Sequence, residues 1–129
     1  MLSQAIFYLV AGVLVAAAVY RSLRRRSVPR QSSAEAEAKV RSGEALFLDV
    51  RAESEHRSDH IKGALHIPLH TLKRRAEELQ KHPGKEFICY CANGNRSLSA
   101  AVILRRRGLR ASSLDGGIGE WNYYRHTQA

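Results

Sequence analysis

The sequence predicts an α/β domain whose parallel sheet is covered by helices on both faces, preceded by one transmembrane helix. Three observations carry this expectation. Apolar runs of strand length alternate with segments of helical spacing, the pattern of a parallel sheet. The first twenty residues hold no charged side chain, so all of the 21 Lys+Arg and 12 Asp+Glu lie between Arg21 and Ala129. Removing those twenty from 129 residues leaves 109, enough for one modest core and too few for a two-domain enzyme. The compact apolar runs also exclude a disordered chain.

Ala5 to Tyr20 is apolar throughout, and twenty helical residues rise about 30 Å, the thickness of a bilayer's hydrocarbon layer. Arg21, Arg24, Arg25 and Arg26 follow it, which by the positive-inside rule holds the domain on the cytoplasmic side. The rival is a signal peptide cleaved near Ala16-Ala17-Ala18, which would place the domain in the periplasm; no positive charge precedes the apolar run as that reading requires. The chain is thus divided into an anchor over 1–20, a basic juxtamembrane tether over 21–32 and a domain over 33–129.

Within the domain, Ser33 is expected to cap a helix over Ala34 to Arg41, with Glu35 and Glu37 in its first turn and Gly43 past its end. Ala45 to Val50 is an apolar run that reads as a strand buried on both faces. A short helix follows around Ser54 to Ser58, then a strand from Ala64 to Ile67 stopped by Pro68. Leu72 to Gln80 has helical spacing, and Pro83-Gly84 turns the chain into a strand over Glu86 to Tyr90. Leu98 to Arg107 is helical and ends at Gly108. Ser112 to Leu114 is a further strand, and Gly116-Gly117 opens a last turn or helix holding Trp121.

The net charge of +9 divides into +5 over Arg21 to Arg41 and +4 over the rest. Neither arginine triplet, 24–26 or 105–107, is interleaved with aromatics, which argues against nucleic acid as a partner. Cys89 and Cys91 stand one residue apart and are expected on opposite faces of a strand, a poor geometry for a structural disulfide. His56 with His60, and His66 with His70, lack tetrahedral spacing with the cysteines, so neither a metal nor another cofactor is expected.

Cys91 is the first residue after an apolar strand, where ligands bind in open parallel sheets. The loop Cys91-Ala92-Asn93-Gly94-Asn95-Arg96-Ser97 then feeds a helix, whose N-terminal amides can cradle an anion. The same field favours thiolate over thiol, Gly94 suits a sharp turn, and Arg96 adds a positive charge beside the anion. Cys89, inside the strand, reads as core packing.

These residues resemble the rhodanese-like sulfurtransferases. The likeness runs from about Ser33 to Tyr124. It rests on Leu48-Asp49-Val50-Arg51 with Glu55, on His60 to Pro68, on the loop Cys91 to Ser97, and on Gly116-Gly117 with Trp121. It implies a three-layer α/β/α domain, a mostly parallel sheet of about five strands, and Cys91 as the sulfur carrier. Four residues separate Cys91 from Arg96, whereas related phosphatases hold five around a tetrahedral phosphate; the shorter loop is similar to the sulfurtransferase version. Ala92 departs from the charged residue many members carry there.

The implied chemistry is covalent. Thiolate Cys91 takes sulfane sulfur from a donor such as thiosulfate, and a thiol, protein or cyanide acceptor removes it from the persulfide. Ala92 to Ser97 would hold the persulfide charge, while Asp49, Arg51, Glu55 and His60 enter as supporting family markers. The alternatives are a membrane-tethered binding module without turnover and, further off, a phosphatase or arsenate reductase.

Overall fold

The computed structural model describes residues 1–128. In chain order it contains α1 (Leu2–Arg26), β1 (Arg30–Gln31), α2 (Ser33–Arg41), β2 (Ala45–Asp49), α3 (Glu53–Ser58), β3 (Leu65–His66) and α4 (Leu69–Arg75). A 3-10 segment (Ala76–Lys81) leads to β4 (Glu86–Tyr90), α5 (Asn95–Arg106), β5 (Ala111–Leu114) and α6 (Gly117–Thr127). The five strands form one sheet in the order β1-β5-β4-β2-β3, and every pairing is parallel.

Alternation along the central strands builds a core on each face of the sheet. Leu48 and Val50, with Phe87, Cys89 and Cys91, join Leu72, Leu98 and Leu104 beneath α4 and α5. Ala45 and Phe47, with Ile88 and Tyr90, join Ala36, Ile118 and Trp121 beneath α2 and α6. This is the α/β fold with helices on both faces that the sequence predicts. It also corrects the cysteine expectation. Residues two apart on a strand share a face, so Cys89 and Cys91 point the same way, and both are free thiols.

The segment read as a basic juxtamembrane tether is built into the domain from Val28 on. α1 runs on through Arg26, Val28 is buried among the residues under α5, and Arg30–Gln31 pairs with Ser113 and Leu114 at the sheet edge. The α2 cap is Ser32 rather than Ser33: its hydroxyl accepts from Glu35 N–H while the Glu35 carboxylate accepts from Ser32 N–H, a reciprocal capping box. The helix expected over Leu72 to Gln80 starts instead at Leu69, behind Pro68, and tightens into 3-10 form at Ala76. α5 begins at Asn95, so Arg96 and Ser97 belong to its first turn rather than to a loop.

Among the described residues, α1 is the one helix long and apolar enough to cross a membrane, and none of its residues is buried. By length and composition it fits a membrane span and a signal sequence alike.

If the segment after α1 belongs to the fold, trimming Val28 must destabilise it. Val28→Ala is expected to lower the unfolding free energy by about 1–3 kcal/mol, read from urea titrations of the full chain in detergent. Unchanged stability would return the segment to the status of a free linker.

Candidate active site

The sheet order dictates where a crevice opens. From β2 the chain moves outward to β3, and from β4 it moves the opposite way to β5, so the connections diverge at the adjacent carboxyl ends of β2 and β4. Ligands bind at such a switch point. Asp49-Val50-Arg51 leaves one strand end and Cys91 the other, and Val50 N–H donates to the Tyr90 carbonyl at 3.1 Å, tying the two together.

Cys91 is fully buried. Its Sγ accepts the Gly94 N–H at 3.1 Å and lies 3.7 Å from Ser97 Oγ. Burial alone would push the thiol up. The Ser97 amide and hydroxyl and the Gly94 and Asn93 amides outweigh it, so the thiol sits below its ordinary value. Ser97 Oγ in turn bonds the Gly94 carbonyl at 2.9 Å and Ser113 Oγ at 2.7 Å, linking the sulfur to β5. Gly94 has φ +109°, a left-handed conformation that side chains disfavour, and it is what bends the loop under the sulfur.

The loop is also held from behind. Ile118 N–H donates to the Cys91 carbonyl at 2.9 Å. A Cβ on Gly117, whose φ is +61°, would stand 2.3 Å from that same carbonyl oxygen. Only a glycine lets the start of α6 come this close.

A buried ion pair lies across the switch point. Arg51 reaches Asp49 through Nε at 3.0 Å and Nη2 at 2.8 Å, and its backbone N–H adds a third bond at 2.9 Å. Tyr90 Oη donates to Asp49 Oδ2 at 3.2 Å, and His56 Nδ1 does so at 2.9 Å. Burial opposes ionisation of Asp49, but the Arg51 and His56 bonds prevail and hold its carboxyl below the usual range.

Arg96 stands beside the Cys91 sulfur and also meets a carboxylate that the sequence did not reveal as its partner. Its Nη1 and Nη2 fork onto Glu55 at 2.7 and 3.0 Å, closing α5 onto α3. That guanidinium holds the Glu55 carboxyl down to about 2. Arg96 and Glu55 thus meet as a pair beside the sulfur, and the net charge there is smaller than a lone arginine would give.

Of the residues singled out in the sequence, Cys91 to Ser97 form one cradle and Glu55 joins it through Arg96. Asp49 and Arg51 stand behind it across β2. His60 is exposed and does not enter the cradle; its Nδ1 donates to the His56 carbonyl at 2.8 Å. Its ring stacks on His56 at 3.9 Å, and His56 stacks on His66 at 4.2 Å. Sequence reasoning missed Ser113 and Tyr90, each joined to its partner by a contact distant in sequence, and the role of His56, which folds back onto Asp49 from the next helix. The Gly116-Gly117 pair was a visible signal for the close approach of α6.

Residues 32–123 match the family model for the rhodanese-like domain. The chain belongs to the rhodanese-like domain family. It is 35% identical over 97 residues to YrkF of Bacillus subtilis, named as a sulfur carrier protein, with 74% of this chain and 51% of YrkF covered. It is 32% identical over 94 residues to the tRNA uridine(34) hydroxylase of Escherichia coli, covering 69% of this chain and 27% of that one. The chain therefore spans about half or less of the curated relatives it matches. Among solved structures, the human single-domain sulfurtransferase TSTD1 aligns with a TM-score of 0.61 at 27% identity, covering 75% of this chain and 97% of TSTD1.

The lowered Cys91 thiol has a measurable signature. The pH midpoint of Cys91 alkylation by iodoacetamide is expected below the ordinary thiol value of 9.0. Alkylation should be lost as pH falls through that midpoint, because the thiolate is the reactive form. Ser97→Ala removes one donor and is expected to cut the thiolate population below the midpoint by roughly tenfold; an unmoved midpoint would mean the backbone amides alone hold the charge.

Proposed function

We propose that this rhodanese-like domain is a sulfurtransferase that carries sulfane sulfur as a persulfide on Cys91. The observation that carries the reading is the Gly94 amide aimed at the buried Cys91 sulfur, at the switch point of the sheet. A thiolate held this way is a soft nucleophile that needs no general base. In the first half-reaction it attacks the outer sulfur of thiosulfate. The S–S bond breaks, sulfite leaves with its electron pair, and Cys91 retains one added sulfur. In the second, an acceptor thiolate or cyanide attacks that outer sulfur and Cys91 departs as thiolate.

Each residue of the cradle has a part in this. As the charge forms, the Ser97 hydroxyl turns from the Gly94 carbonyl to the sulfur while Ser113 donates to Ser97. The amides from Ala92 to Ser97 stabilise the persulfide anion in the manner of an oxyanion hole. Arg96 and Glu55 act together: the arginine attracts an anionic donor and masks the carboxylate that would otherwise repel it. Asp49, Arg51 and His56 fix the loop after β2, and His60 stands at its edge. The sulfurtransferase TSTD1 and the carrier-named YrkF support sulfur chemistry as the class of reaction; a small-molecule donor and a thiol or protein acceptor are part of the proposal.

We further propose that α1 anchors the chain in the cytoplasmic membrane with the domain facing the cytoplasm. An uncharged span, the arginines that follow it and a thiol suited to a reducing compartment support this.

Thiosulfate treatment of the full chain is expected to add the mass of one sulfur atom at Cys91, and Cys91→Ser should abolish transfer to cyanide. Sulfur found on Cys89 would overturn the assignment. Arg96→Ala, which unmasks Glu55, should slow reaction with thiosulfate more than with a neutral persulfide donor; equal losses would make Arg96 purely structural. Reporters fused after Ala129 should fluoresce if folded in the cytoplasm and stay silent if they require export, and the reverse pattern would place the domain outside.

A further inference from the structure

Helix α1 ends against the active-site loop. Arg25 Nη2 donates to the Asn95 carbonyl at 2.8 Å, and Arg106 Nη2 donates to Tyr20 Oη at 3.2 Å. On α1 these contacts lie five residues apart, about 7.5 Å along the axis, whereas on α5 they lie eleven apart, about 17 Å. α5 is thus tied near both of its ends to the last two turns of α1. Its N-terminus, which carries the sulfur cradle, is brought to the level of the first basic turn after the apolar span.

At that level a groove of about 450 Å³ opens between the two helices, walled by Arg21, Arg25, Arg26 and Arg30 and floored by Leu98 beside Asn95. Arg21 and Arg25 are one turn apart and share a face of α1. Among the described residues, no carboxylate lies within 4.0 Å of Arg21, Arg25 or Arg26, and Arg30 meets Asp115 only at 4.0 Å with both side chains about half exposed. The groove thus gathers four cations against one distant anion. It continues along α1 onto its apolar surface at Ala18.

We propose that this groove seats the phosphate headgroups of anionic phospholipids and thereby holds the Asn95 end of the active-site loop at the membrane surface. The inference rests on the membrane-anchor reading above. Guanidinium forks match phosphate oxygens, and arginines just past a span are drawn to an anionic leaflet. The apolar floor and its continuity with the span favour an amphiphile over a free anion. Arg25, which both lines the groove and bonds Asn95, transmits occupancy to the loop.

The test uses the full chain in nanodiscs of phosphatidylcholine alone or with one-third phosphatidylglycerol, read by amide hydrogen exchange. Exchange over 93–98 and 18–30 is expected to slow several-fold in the anionic discs. Replacing Arg21, Arg25, Arg26 and Arg30 together with Gln should erase that difference. If the fourfold variant does not fold, Arg21→Gln with Arg26→Gln and Arg30→Gln should weaken the effect while keeping the Asn95 contact. Equal exchange in both discs overturns the proposal while leaving the anchor intact. Protection reproduced in phosphatidylcholine discs by inorganic phosphate would also overturn it, showing a free-anion site. A chain that copurifies with neither disc defeats the anchor reading and this inference together.

Discussion

A charge that leaves water must be solvated by the protein or not form at all. At the end of β4 that requirement bears on the Cys91 thiol, which its hydrogen-bond donors hold below its ordinary value, and much of the local architecture answers it. The Gly94 turn aims an amide at the sulfur, and the Ser97 hydroxyl is anchored to β5 so that it stays in reach. The start of α6 presses on the Cys91 carbonyl through Ile118 N–H, at a distance that Gly117 alone permits. Cys89 shows the contrast. It lies on the same sheet face, deeper and without such donors, and burial pushes its thiol well above the ordinary value. Two thiols two residues apart differ because one stands beside a helix N-terminus and the other inside a strand.

The buried carboxylate of Asp49 gives the cradle something rigid to lean on. It is bound by Arg51, Tyr90 and His56, and Tyr90 sits between the two cysteines on β4. Displacing Tyr90 would therefore disturb Asp49 and the strand end that delivers the sulfur. Tyr90 Oη also accepts the Ile61 N–H at 3.1 Å, so the loop before β3 is pinned by the same group. Arg96 and Glu55 close the arrangement at the surface, where solvent screens their attraction and makes the pair a weak brace rather than a stability device.

The elements legible in the sequence are those announced by local pattern. The apolar runs of β2 and β4, the glycine after β4 and the helix that follows needed no distant information. β1 was not legible, because Arg30-Gln31 is two polar residues whose pairing is decided by β5, more than eighty residues away. The Ser32 cap had a local signal in Glu35 three residues on, the spacing of a capping box. In the site, Cys91 and its loop were readable from position alone. The fork from Arg96 to Glu55, the hydroxyl pair Ser97–Ser113 and the stacking of His56 on His66 were not, since each joins segments that meet only in the folded sheet. The shared face of Cys89 and Cys91 was a matter of strand periodicity and was open to derivation.

The charges at the start of α5 run against ordinary helix stability. Acidic residues favour a helix N-terminus, yet the first turn here holds none and contains Arg96. Arg25 adds a second cation by bonding the Asn95 carbonyl from outside. That contact need not cost a helix hydrogen bond, because a carbonyl oxygen has two lone pairs, but it does place positive charge where the dipole is already positive. The C-terminal end, with Arg105 and Arg106, follows the usual rule, so basic composition alone does not explain the other end. What compensates two cations and a helix terminus at one spot is negative charge held there. Glu55 supplies part of it from α3, and the Cys91 thiol, held below its ordinary value, supplies more wherever it ionises. The N-terminal half of α5 is thus arranged to favour negative charge beside it, at some expense of its own stability.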